Sequence, residues 1–147
     1  MANRTRVCDI LNELLAAEEL DLLPRLTECT TFVSSADVSE FEAVRRMADE
    51  QKANTARLAQ VLIDLDEEPR PCVRDITSAN FHYMELPALL PRVQAREEQI
   101  AAQYEAALAQ LNECKEVARV VGEIGARHRV YAEFLRRLTG DITLPPG

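Results

Sequence analysis

Apolar residues recur every three to four positions along most of this chain, and the recurrence divides into four stretches. Val7, Ile10, Leu11, Leu14, Leu15, Leu22, Leu26 and Phe32 form the first stripe, which predicts a helix over about residues 6 to 33. Pro24 lies inside it and should kink or break it, because proline removes a backbone donor. A polar turn follows at Ser34 to Ser39, and Ser39 with Glu42 three residues on has the spacing of a capping box. The second stripe, Phe41, Val44, Met47, Ala48, Leu58, Val61, Leu62 and Leu65, predicts a helix over 38 to 67 that stops before Pro69. Residues 69 to 83 hold Pro69, Pro71 and the group Phe81-His82-Tyr83 without a helical period, and read as a long crossover. A third helix is predicted over 84 to 111, with Pro87 and Pro91 in its irregular first turns and Leu89, Leu90, Val93, Ile100, Tyr104, Leu108 and Leu111 on its apolar side. A fourth, over 113 to 138, buries Val117, Val120, Val121, Ile124, Tyr131, Leu135 and Leu138 and ends near Gly140. Four helices with one long crossover make a single all-α up-down bundle domain over residues 1 to 147, with a loose tail after Leu144.

Polar positions interrupt each stripe near its middle: Glu18 in the first helix, Gln51 and Asn54 in the second, Glu97 in the third and His128 in the fourth. Facing residues of an antiparallel pair have a constant position sum. A turn near residue 36 sets Glu18 against Asn54, and a turn near 112 sets Glu97 against position 127 or 128. Burying a carboxylate or an imidazole alone costs several kcal/mol, so four polar groups at one level are expected to meet.

The segment Leu11-Asn12-Glu13-Leu14-Leu15-Ala16-Ala17-Glu18 resembles the first-helix motif of bacterioferritins and their relatives, and Glu50-Gln51-Lys52-Ala53-Asn54 resembles their second-helix E-E-x-x-H stretch. The resemblance covers nearly the whole chain and implies a ferritin-like fold. Such bundles hold two metals with one Glu from each of two helices and a Glu-x-x-His from each of the others. On that pattern Glu18 and Glu97 match the single carboxylates. Gln51 and Asn54 stand at the first Glu-x-x-His, and Gly125 and His128 at the second. Two of the four carboxylates are therefore missing, and a di-iron ferroxidase is not expected. The resemblance implies a remnant site in which amides replace ligands, with Gln51, Asn54 and Gly125 at the altered positions. Its alternative is a single divalent ion, iron, zinc or manganese, on Glu18, Glu97 and His128, with redox or iron-storage-related activity. Glu50 or Glu123 could restore ligands only from a rotated helix.

Composition narrows the picture further. The chain has 147 residues, 47% apolar and 29% charged, so it can fill one core, and only 4 glycines favour helix. A formal net charge of -8 disfavours nucleic acid and anionic membrane as partners. No apolar run approaches the roughly 20 residues that span a bilayer, and the N-terminus has no signal-peptide core, so a cytoplasmic protein is expected. Cys8, Cys29, Cys72 and Cys114 lack CxxC or zinc-finger spacing and read as reduced core thiols. The crossover nonetheless brings Cys8, Cys72 and Cys114 to one end, where a disulfide or soft-metal site is the alternative. His82 reads as a packed or surface imidazole, and Tyr104 as a core ring that resembles a tyrosine of the family. No nucleophilic triad or phosphate loop is present. Function is expected to be non-catalytic, by homo-oligomerisation, with a dimer favoured, or by docking to a protein partner.

Overall fold

The computed structural model describes residues 2–19, 38–69, 86–111 and 113–141. Four helices run through them: α1 (Ala2–Glu19), α2 (Val38–Asp64), α3 (Leu86–Ala109) and α4 (Lys115–Asp141). Pro24, Cys29, Cys72, His82 and the turn before Val38 lie outside the described residues, as do the second half of the predicted first helix and most of the predicted crossover.

The chain direction follows from side chains that reach between helices. Near the start of α1, Arg4 donates to the carbonyl of Leu65 just past α2, and Arg6 donates to Gln110 Oε1 (2.6 Å) just past α3. Thr139 near the end of α4 meets Gln94 near the start of α3 at 2.7 Å. Arg57 and Glu123 pair at 2.6 Å, and Arg127 pairs with Glu50, so α2 and α4 also run oppositely. Both α2 and α3 are thus antiparallel to their neighbours and parallel to each other.

Helix ends differ from the periodicity by a few residues, each for a local reason. α1 already begins at Ala2, and its first turn is tied down by Arg4 and Arg6. α2 includes Val38, which places Ser39 inside the helix. It stops at Asp64, short of 67, because Asp66 adopts a left-handed φ of 59°. Glu67 N then bonds Leu62 O (2.9 Å) and Asp66 N bonds Ile63 O (2.9 Å), the paired bonds of a Schellman stop. Asp tolerates this conformation better than most residues, so the stop precedes any effect of Pro69. α3 carries Pro91 within the helix rather than in an irregular entry, on an exposed position. It ends at Ala109, where Gln110 N and Leu111 N make tighter i−3 bonds to Ala107 O and Leu108 O. Cys114 O accepts the first bond of α4 from Ala118 N at 2.8 Å. α4 continues through Gly140, since no glycine among the described residues takes a positive φ, and its last turn is pinned by the Thr139 hydroxyl.

One end of the bundle is mostly apolar, with Asn12 buried there and its amide donating to Cys8 O (3.1 Å). Leu11, Leu14, Leu58, Leu62, Leu111, Val117, Val121 and Ile124 pack there with Val7 and Cys8. Cys8 and Cys114 are both free thiols at this end. Burial, reinforced by Glu67, pushes the Cys8 thiol above its ordinary range. None of the described helices is long and apolar enough to cross a membrane.

Candidate functional site

The polar interruptions converge beyond this apolar end. Glu18, Gln51, Glu97 and His128 are each no more than 1% exposed, and Asn54 is also buried. A helix normally turns such groups outward, so each must have found a partner to offset lost hydration.

His128 is the hub. Its Nδ1 lies 2.6 Å from Glu97 Oε2, and its Nε2 makes a short contact with Glu18 Oε1. Glu18 also accepts from Tyr104 OH (2.6 Å) on Oε1 and from Gln51 Nε2 (2.8 Å) on Oε2. The Thr55 hydroxyl has one proton; it bonds Gln51 O at 2.9 Å and stands 3.5 Å from Glu18 Oε2. Burial opposes charge on His128, but hydrogen bonds and charge from Glu18 and Glu97 outweigh it, and the imidazole pKa is pushed up to about 10. With both ring nitrogens facing carboxylates, the imidazolium satisfies the geometry and the neutral ring does not. Glu97 Oε1 is buried with no hydrogen-bond partner among the described residues.

Aromatic rings enclose the hub. Tyr104 tilts against the His128 ring (centroids 5.2 Å), and Tyr131 meets it edge-on (5.6 Å). Gly125 is buried, and a Cβ there would stand 2.9 Å from Tyr104 Cβ. Tyr104 thus fills the space that any side chain at 125 needs, and α3 and α4 approach closely only because position 125 has none. Outside the rings, Arg127 forks onto Glu50 and stacks 5.6 Å over Tyr131. Arg127 holds the Glu50 carboxyl below its ordinary range, and burial followed by Glu50 raises the Tyr131 phenol above its own.

The antiparallel arithmetic holds for one pair and slips for the other. Glu97 and His128 meet as their position sum requires. Glu18 reaches Gln51, one helical turn before Asn54, and Asn54 makes no hydrogen bond to the group among the described residues. Glu50 and Glu123 are unavailable as replacement ligands: the first is paired with Arg127, the second with Arg57 (2.6 Å) and Arg119 (3.0 Å), all at the surface. Thr55 was not legible as a participant, although it lies one turn after Gln51 on the same face. Tyr131 reads in the sequence as core packing, three residues after His128, and Tyr104 as a ring whose hydroxyl needs a partner; that partner is Glu18.

In this arrangement the side chains that a two-metal site would use are bonded to one another. The ring nitrogens of His128 are both engaged, the Gln51 amide donates where a ligand would have to accept, and Tyr104 occupies the space beside Gly125. Among the described residues no group of three or more His, Cys, Asp or Glu side chains is disposed to hold a metal ion.

No family model matches the sequence, and no curated protein matches it. Among solved structures, the X-ray structure of the Desulfovibrio desulfuricans bacterioferritin, a protein with a diiron site, superposes with a TM-score of 0.70. It does so over 96% of this chain and 82% of that one, at 13% sequence identity. At such identity the likeness concerns the fold: the chain is an all-α four-helix bundle resembling bacterioferritin.

Proposed function

We propose that this ferritin-like bundle acts by binding or self-association, and that its centre is a hydrogen-bonded polar core standing where related bundles hold two metals. One observation carries the reading: His128 spans Glu18 and Glu97 through both ring nitrogens. An organic cation at that position neutralises buried carboxylate charge, which is the electrostatic task metals perform in such bundles. With Gln51 and Tyr104 also donating, Glu18 is satisfied without an ion. The core then fixes helix register, a role that buried polar groups fill in other helical assemblies. Function would fall to the surface, through a homodimer or a protein partner.

A second reading is favoured by Glu97 Oε1, whose buried lone pairs have no donor among the described residues. One divalent ion, iron, zinc or manganese, on Glu97 and His128 with Glu18 nearby would use them, provided the His128 ring gives up a proton. Metal content separates the two. Protein purified without chelator, incubated with iron or zinc and desalted, should carry no stoichiometric metal. A stoichiometric ion that disappears in His128→Ala would replace the first reading with the second. Restoring ligands with Gln51→Glu, Asn54→His and Gly125→Glu should give no iron oxidation, because Tyr104 blocks position 125. Oxidation in that triple variant would show that the ring moves aside.

A further inference from the structure

We infer that the groove between α2 and α4 is a binding site for a small amphipathic anion, an aliphatic or aromatic carboxylate whose apolar body lies on Met47, Val130 and Phe134 and whose charge meets Arg46. The groove encloses about 230 Å³, room for a short alkyl chain or a single ring system. Its lining is apolar on a chain with 29% charged residues. Val130 is 48% exposed, although a surface helix position ordinarily carries a polar residue. Met47, unbranched and polarisable, adapts to ligands of differing shape.

Charge at the rim selects the sign of the ligand. The protein is acidic overall, yet both charged residues bordering this groove, Arg46 and Arg127, are arginines. Arg127 is committed to Glu50. Arg46 is exposed and has no ion pair among the described residues. Tyr131 contributes to the floor. Its side chain is 1% exposed, and its hydroxyl faces the Glu50 and Arg127 pair without a hydrogen bond of normal geometry. That phenol lies under the groove, with the Glu50 carboxylate as its neighbour. An apolar groove and an exposed guanidinium at its rim together specify an amphipathic anion; neither alone does.

The test uses the full chain titrated with octanoate by calorimetry and by amide chemical-shift mapping, with octylammonium as the opposite-charge control. Octanoate is expected to bind with one-to-one stoichiometry and to shift α2 and α4 amides around Met47 and Val130, while octylammonium binds at least about tenfold more weakly. Arg46→Gln, an exposed change that leaves the fold intact, should weaken octanoate about tenfold. Val130→Asp should abolish binding, and Ile63→Asp, at the other exposed large apolar residue, should leave it unchanged. The inference is overturned if octanoate does not bind at millimolar concentration, if the two charges bind alike, or if Arg46→Gln has no effect. Concentration-dependent dimerisation that Val130→Asp abolishes would also overturn it, since the groove would then be a contact between copies.

Discussion

Two levels of the bundle interior are held by different physics. Towards the end that contains Cys8 and Cys114, the interior is mostly hydrocarbon from Leu11, Leu58, Leu62, Leu111 and Val121, and any one residue contributes through area and shape. One step further along, the interior is Glu18, Glu97, His128, Gln51 and Tyr104, where each group is tolerable only because another is present. Apolar packing degrades gradually when a side chain is shortened. The polar group should fail as a unit, since removing its cation leaves two carboxylates facing each other in a dry interior.

The largest effect is therefore expected at the hub. His128→Ala should cost about 3–5 kcal/mol of folding stability, the range for breaking a buried charge pair by removing one partner. Denaturant unfolding checks this, and a loss below 1 kcal/mol, as for a surface pair, would mean the group is not coupled. The apolar end offers the contrast: Leu62→Ala should cost about 2–4 kcal/mol, and combining it with a variant at the hub should give near-additive losses. Strong coupling in that double-mutant cycle would show that the two levels form one cooperative unit.

Gly125→Ala should cost about 1–3 kcal/mol through overpacking against Tyr104, whereas Gly122→Ala, whose new Cβ would lie 3.8 Å from Leu108 in ordinary contact, should be neutral or stabilising. Equal responses at the two glycines would show that α3 and α4 have room to part. Smaller still, Tyr104→Phe keeps the ring and deletes the donor to Glu18, for a loss of about 1–2 kcal/mol.

Stability should also depend on pH in a definite sense. The folded-state pKa of His128, about 10, lies above its unfolded value of 6.5. Its contribution is thus complete below about pH 6.5 and is lost as pH rises through 10. Melting temperature should fall between these limits in the parent protein. In His128→Gln that segment of the profile should be flatter. A parent profile that is already flat there would place the imidazole in its neutral form.

The sequence made the apolar level legible because a stripe of one period needs no partner to be recognised. It made the meeting of Glu97 and His128 legible too, since the connection of α3 to α4 is only a few residues long and its midpoint is well defined. The same arithmetic missed by one turn for Glu18, whose partner is Gln51 and not Asn54. The stops of α2 at Asp66 and of α4 beyond Gly140 were hidden because left-handed backbone falls on an Asp and not on the Gly. The exclusion between Gly125 and Tyr104 depends on the distance separating two helices, which periodicity does not encode. Nor does one-dimensional spacing show that His128 uses both nitrogens, the feature that distinguishes an imidazolium bridge from a metal ligand.

The central claim is that His128 is a cation bridging Glu18 and Glu97. Nitrogen-15 NMR of the imidazole in full-length protein at pH 8, recorded with added iron-free zinc, addresses it directly. Both ring nitrogens are expected to carry protons, and zinc to leave their shifts unchanged. A deprotonated nitrogen at that pH, or a shift that follows zinc stoichiometrically, would contradict it.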